Sequence, residues 1–280
     1  MKNSDSAPPI RRILVALDAS PVSAAAIETA VQLAAYLRAR LVGLFVEDIE
    51  LIRVAELPFA REVGSFSRSL RAIELGDVER QLRVQAKLMQ ERLLAATRRL
   101  QVPWDFRVVR GAVGSEILSA ATEADLVILG KIGRSLIGPR RMGSTARMIV
   151  HQGLGPALIL QQERVPAVAV SVIYDGSELA QKALRLARHF AQARKGALKL
   201  FVVAENQASA QKLHHQALER LKGSDLGIES RILINQDLEG LAHIVQLEAC
   251  GLLVLSCEPG QKEETCWLVN QIPNPVLLVR

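Results

Sequence analysis

The sequence predicts an α/β protein made of two tandem units, each an open parallel sheet with helices on both faces, and three observations predict it. The chain repeats itself: Ile13-Leu-Val-Ala-Leu-Asp18-Ala-Ser20 and Val170-Ser-Val-Ile-Tyr-Asp175-Gly-Ser177 are apolar runs that both end in Asp-x-Ser, 157 residues apart. Apolar runs of strand length alternate with helical patterns in each copy, the rhythm of parallel sheets covered on both sides. The length, 280 residues at 49% hydrophobic and 23% charged, suits a soluble chain of one large or two ordinary domains.

The elements follow in order. The first strand, Ile13 to Leu17, leads into a helix beginning near Pro21 to Ser23, where Pro21 fits the first helical turn. Along that helix Ile27, Ala30 and Ala34 match Leu184, Ala187 and Ala191 without a gap, and Leu44-Phe45-Val46 matches Phe201-Val202-Val203 as the second strand. The next match, Phe106-Arg-Val-Val-Arg110 with Ser230-Arg-Ile-Leu-Ile234, lies at an offset of 124, so the first copy is longer by 33 residues. That excess falls between Asp48 and about Arg80, where Leu51, Val54, Leu57, Phe59, Val63, Phe66, Leu70 and Ile73 recur and Pro58 and Gly64 interrupt. It reads as a lid over the first unit or an arm over the second. Leu82, Met89, Leu93 and Leu100 then mark an amphipathic helix.

Each copy continues with a helix (about 114–123 and 238–249), a strand (Leu126 to Leu129, Leu252 to Leu255) and a strand led by proline, Pro156 to Leu160 and Pro275 to Val279. The expected organisation is a disordered tail at 1–10, a first domain at 11–162 with an extra segment near 48–80, and a second domain at 166–280.

One stretch is distinctive. Gly130-Lys-Ile-Gly133, nine further residues and then Gly143-Ser144-Thr145 follow the buried strand Asp125-Leu-Val-Ile-Leu129 and precede a helix expected from about Ala146. Ser144 and Thr145 stand where such a helix places its cap. Glycines permit close approach of an anion to the backbone, and a helix start supplies unpaired N–H groups and a favourable dipole. In open parallel sheets ligands bind at the carboxyl ends of the strands where strand order reverses. Asp18 and Gly130 both end strands, so they are expected to face one crevice. Asp18 can accept from a ligand amino or hydroxyl group, or it can serve as an Asx-turn or helix cap. Lys131 and the arginines Arg134, Arg140 and Arg141 can neutralise phosphates or stand in a solvated loop.

Composition excludes other classes. The net charge is +6, yet the basic pairs Arg98-Arg99, Arg38 with Arg40, and Arg185 with Arg188 fall on helical patterns, where solvated faces are usual. Aromatics are 4%, too few for base-stacking platforms, so no nucleic-acid partner is expected. No apolar run reaches the roughly eighteen residues of a membrane span and the start lacks a signal-peptide core, so no membrane association and a cytoplasmic location are expected. Cys250, Cys257 and Cys266 are odd in number and have no His at ligand spacing, which suits free thiols and no metal site.

These residues resemble the universal stress protein family. Its nucleotide-binding members carry Gly-x2-Gly-x9-Gly-(Ser/Thr), matched by Gly130, Gly133, Gly143 and Ser144; Asp18-x-Ser20, Phe45-Val-Glu-Asp48 and Gly155-Pro-Ala-Leu-Ile-Leu160 are similar to the family as well. The resemblance covers nearly the whole chain as two copies. It implies five parallel strands per domain in the order 3-2-1-4-5 and ATP, with or without Mg2+, as ligand. It places the adenine and ribose contacts on Ala16, Asp18, Val46 and Leu129, and the phosphate contacts on Gly130, Gly133, Gly143, Ser144 and Thr145. It also implies pairing through the last strands, here between the two domains of one chain, with a homodimer as a further option and a protein partner of unknown identity.

The second copy departs from the motif. Ser256-Cys-Glu-Pro-Gly-Gln-Lys-Glu-Glu-Thr-Cys266 lacks the first two glycines, and Glu258, Glu263 and Glu264 would repel phosphate. ATP is therefore expected in the first domain alone, although Asp175 survives. No catalytic residue is identified: the His nearest the motif is His151, about two turns into the helix. The reading is a nucleotide-binding stress-response regulator with at most slow hydrolysis. A slow Mg2+-dependent ATPase and a nucleotide-free interaction module are the alternatives.

Overall fold

The computed structural model describes residues 10–57, 59–63, 70–131, 142–161, 169–193, 196–248 and 251–280. The expected tail, the junction at 162–166, Gly133, Arg134, Arg140, Arg141 and Cys250 lie outside the described residues, apart from Ile10, which is buried.

The first half runs β1 (Arg12–Leu17), α1 (Pro21–Leu37), β2 (Arg40–Asp48), α2 (Ile49–Ala55), β3 (Arg61–Val63), β4 (Leu70–Ala72), α3 (Leu75–Leu100), β5 (Trp104–Gly111), α4 (Val113–Ala121), β6 (Leu126–Gly130), α5 (Ser144–Gln152) and β7 (Ala157–Leu160). The second runs β8 (Val170–Tyr174), α6 (Glu178–Ala193), β9 (Leu198–Ala204), α7 (Gln207–Leu221), β10 (Ile228–Ile234), α8 (Leu238–Leu247), β11 (Leu252–Ser256), α9 (Lys262–Gln271) and β12 (Val276–Val279).

Ten strands form one sheet in the order β10-β9-β8-β11-β12-β7-β6-β1-β2-β5. Each half is thus a five-stranded parallel sheet of order 3-2-1-4-5, and the two join because β12 pairs antiparallel with β7, Leu277 opposite Leu158. Two separate sheets become a single one. The reason is physical: β7 and β12 are wholly buried apolar strands, and each would otherwise present an unpaired edge. The outer strands β5 and β10 instead carry exposed charge, Arg107 and Arg110 on one and Glu229 and Arg231 on the other.

Strand alternation divides the core. Ile13, Val15 and Leu17 face one side of the sheet with α1, α3, α6 and α7, while Leu14, Val127 and Leu129 face the other with Ile117 of α4, Ile149 of α5 and Val245 of α8. Both apolar layers run across the β7–β12 junction, so the halves share their cores. On α3 the buried positions Leu82, Ala86, Met89, Leu93 and Ala96 recur at helical spacing, whereas Leu100 is exposed where the helix ends in left-handed Gln101. The helix lies so near the sheet that a Cβ on Gly43 of β2 would stand 2.6 Å from Leu93 Cδ2.

The 33-residue excess is α2, the β3–β4 hairpin and the first turns of α3. α2 packs on α3 and β5, at the carboxyl edge of the first half. Of the basic pairs, Arg40 is not helical: α1 stops at Leu37, Arg38 adopts a left-handed conformation, and Arg40 opens β2 with an ion pair to Asp105 at 2.8 Å. Among the described residues no helix is long and apolar enough to cross a membrane.

Candidate functional site

A cavity of about 450 Å3 opens at the carboxyl ends of β1, β2 and β6, within the roughly 300–1,000 Å3 usual for small-molecule sites. It lies where the order reverses about β1, with β2 on one side and β6 on the other. Ala16, Asp18, Val46, Leu129, Gly130, Gly143, Ser144 and Thr145 all border it. Every described member of the expected set is therefore gathered in one place. Apolar side chains of Leu44, Val46, Val113, Ile117 and Leu129 line the cavity together with the start of α5.

That helix start differs from the expected one. α5 begins at Ser144 rather than Ala146, Gly143 is its N-cap in extended conformation, and no side chain caps it. Gly143 occupies the cap, so Ser144 and Thr145 fall inside the first turn, with Ser144 exposed. The first helical bond is Arg147 N–H to Gly143 O at 3.0 Å, which leaves the N–H groups of Ser144, Thr145 and Ala146 without partners among the described residues. All three residues border the cavity. No acidic residue lies in the first turn, so no side chain of that turn offsets the positive end of the helix dipole.

The second half contrasts at the matching point. α9 carries Glu263 and Glu264 in its own first turn, which supplies negative charge from within the chain. Glu263 also reaches across to α5, pairing with Arg147 at 3.0 Å and lying 3.4 Å from His151 Nε2. His151 is thus a neighbour of α9, its carbonyl accepting from Lys262 Nζ at 2.7 Å, and stands outside the cavity lining.

Asp18 does local work. Its Oδ1 accepts from Ser20 N–H at 3.0 Å, from the Ser20 hydroxyl and from Ser23 Oγ at 2.7 Å, while Ser23 Oγ accepts from Asp18 N–H at 2.9 Å. The Asx-turn role is realised, and the second carboxylate oxygen has no hydrogen-bond partner among the described residues. Asp48 acts similarly one strand away, capping α2 through Glu50 N–H at 3.0 Å.

Lys131 is neither solvated nor a free cation for a ligand. It is 5% exposed, and its Nζ donates to Gln161 Oε1 at 2.8 Å and to the carbonyl of Asn270, on α9, at 3.0 Å. Burial lowers its ammonium from the ordinary 10.5 to about 8. Because the folded pKa lies below the unfolded one, the penalty is complete below about pH 8 and is relieved as pH rises toward 10.5. The stability of the protein relative to a Lys131→Met variant is expected to rise by about 1–3 kcal/mol across that window. Denaturant titrations of both proteins at several pH values check this, and a flat difference contradicts it.

Among the lining residues that the motif does not point to are Leu51 from α2, and Val113 and Ile117 from α4. The rule that every strand-to-helix turn on the carboxyl side faces the crevice is the signal that finds them. Leu51 also places α2 at the cavity wall, on the lid side of the lid-or-arm alternative.

A universal stress protein from Archaeoglobus fulgidus DSM 4304 shares the fold with TM-score 0.71 at 15% identity, over 96% of this chain and 98% of that one. The cytoplasmic domain of a prokaryotic cation chloride cotransporter shares it too, with TM-score 0.55 at 11% identity over 96% and 95%. A universal stress protein solved in complex with cAMP matches 55% of this chain and 98% of its own length at 21% identity, TM-score 0.38. No curated protein matches the sequence. The model of the universal stress protein family matches residues 9–161, more than half of the sequence, and the chain belongs to that family.

Proposed function

We propose that this protein is a stress-response regulator that binds ATP in its first domain, residues 11–162, while the second domain, 166–280, holds no nucleotide and supports the first. The observation that carries the reading is the start of α5. Three N–H groups without partners among the described residues, in a first turn that carries no acidic side chain, border a cavity whose lining also includes apolar side chains suited to a planar base. Gly130 and Gly143 border the same cavity without side chains to obstruct a phosphate. At the matching position of the second domain, Glu263 and Glu264 already occupy the anion's role. Membership of the family supports the adenine assignment, and Asp18, with one carboxylate oxygen available, suits a ribose hydroxyl.

The site is read as binding rather than hydrolytic. Hydrolysis needs a group that positions water at the γ-phosphate. The acidic residues at the cavity, Asp18 and Asp48, are each engaged in a backbone turn. Mass spectrometry of the denatured protein, purified without added nucleotide and then saturated with ATP, tests the reading. One ATP per chain with turnover below about one per hour is expected. Two per chain would refute the silent second domain, and no binding would leave the interaction-module alternative.

A further inference from the structure

The two halves meet in a pseudo-twofold junction, and its chemistry differs on the two sides. Lys131 and Cys257 occupy equivalent places: the N–H of each donates to the closing strand of its own half, to Leu160 O at 2.7 Å and Val279 O at 2.8 Å. Gln161 Nε2 donates to Val269 O of α9, and Arg280 donates to Ile149 and Val150 O of α5. Each half thus caps the carbonyl end of the other's last helix. Among the contacts without a symmetric counterpart in the described residues is one at the α5 start: Asn270 Oδ1 accepts from Met142 N–H at 2.7 Å.

We propose that Asn270, in the last turn of α9, is a positioning residue for the anion site at the start of α5, so that the second half sets the phosphate affinity of the first. The argument rests on the nucleotide reading given above. Asn270 holds both chain segments that define the helix start. Its side chain fixes Met142, and its carbonyl fixes Lys131 through Nζ at 3.0 Å. Lys131 O in turn accepts from Gly143 N–H at 2.8 Å, closing the two segments on each other. Gly143, Ser144 and Thr145 follow Met142 directly, so the directions of the N–H groups at the cavity depend on where Met142 sits. Burial reinforces the arrangement, since a buried Lys131 ammonium requires the Asn270 carbonyl as acceptor. Removing the Asn270 side chain strands the Met142 N–H and frees this end of the helix to shift. The base and ribose end, on β1, β2 and β6, makes no use of Asn270.

That separation defines the experiment. In the full chain, Asn270→Ala is expected to weaken ATP binding about tenfold, the effect of one lost hydrogen bond to a partly buried donor. Adenosine affinity is expected to change by less than about twofold. Asn270→Asp keeps an acceptor for Met142 N–H but adds a carboxylate close to the phosphate site, so it is expected to hold the helix start in place without restoring ATP affinity. Titration calorimetry with ATP and with adenosine gives these values. Amide exchange at Met142 and Gly143 in nucleotide-free protein gives a second readout, expected to accelerate about tenfold in Asn270→Ala and not in Asn270→Asp. Unchanged ATP affinity in Asn270→Ala, or an equal loss for adenosine, overturns the proposal. If wild-type protein binds neither ligand the nucleotide reading fails, and exchange then decides the positioning claim: unchanged exchange refutes it and faster exchange upholds it.

Discussion

A Ser144→Glu variant is expected to fold at least as stably as wild type while losing ATP affinity about a hundredfold. The two effects have opposite signs because they share one cause. Ser144 is the first residue of α5, exposed and at the rim of the cavity, on a helix with no acidic residue in its first turn. A carboxylate there complements the dipole and adds about 0.3–1 kcal/mol of stability. The same carboxylate stands where the phosphates would bind. Two like charges some 4–5 Å apart near a protein surface repel by roughly 3–4 kcal/mol, which exceeds the 2.7 kcal/mol of a hundredfold change. Adenosine, lacking phosphates, is expected to bind both proteins alike. Calorimetric titration with ATP and adenosine, together with a thermal melt, checks all three outcomes. Undiminished ATP affinity would place the phosphates elsewhere, and a lowered melt would mean that Ser144 has a structural task the hydrogen bonds do not show.

The second half already performs this substitution. Glu263 and Glu264 occupy the first turn of α9, so its dipole is satisfied by the chain itself. A sheet of this kind does not by itself specify a ligand, so the difference must be sought at the site. The charge in the first turn of the last helix is one of the differences between the two copies.

Much of this architecture is legible in the sequence, because strands of parallel sheets are continuous apolar runs and the repeat displays them twice. The 157-residue offset aligns β1 with β8 and β2 with β9, and Asp18 and Gly130 meet as the switch-point rule requires. The errors have physical origins. Ser144 and Thr145 are good cap residues, yet glycine at 143 serves as well when backbone groups face a ligand or solvent, and local propensity does not choose between them. Lys131 follows a motif glycine, and its partner Asn270 is 139 residues away, a pairing no local pattern encodes. The fusion of two sheets depends on β7 and β12 meeting edge to edge, which the family resemblance implies and the strand pattern alone does not.

The largest effect on stability is expected at Arg280. Its guanidinium donates to Ile149 O at 2.7 Å, Val150 O at 2.9 Å and Gly155 O at 2.9 Å, and burial pushes its pKa below the usual guanidinium range. These carbonyls lie at and beyond the end of α5, which has no other basic side chain in its last turn than half-buried His151. The cation therefore meets the negative end of the same dipole whose positive end faces the cavity. Arg280→Ala strands three acceptors and removes that charge, and a loss of about 2–4 kcal/mol follows. For a chain of this size the thermal midpoint falls by roughly 5–10 °C. Arg280→Lys is expected to recover only part of the loss, because one ammonium lacks the planar fork that spans three carbonyls. Measured well below the midpoint, ATP affinity of Arg280→Ala is expected to stay within about threefold of wild type, since the cavity end of α5 is tied through Met142 to Asn270. The Arg280 and Asn270 variants thus separate the two ends of one helix: the first lowers stability and spares binding, and the second lowers phosphate binding with a smaller loss of stability. A parallel loss of both quantities in both variants would instead mean that α5 responds as a rigid unit.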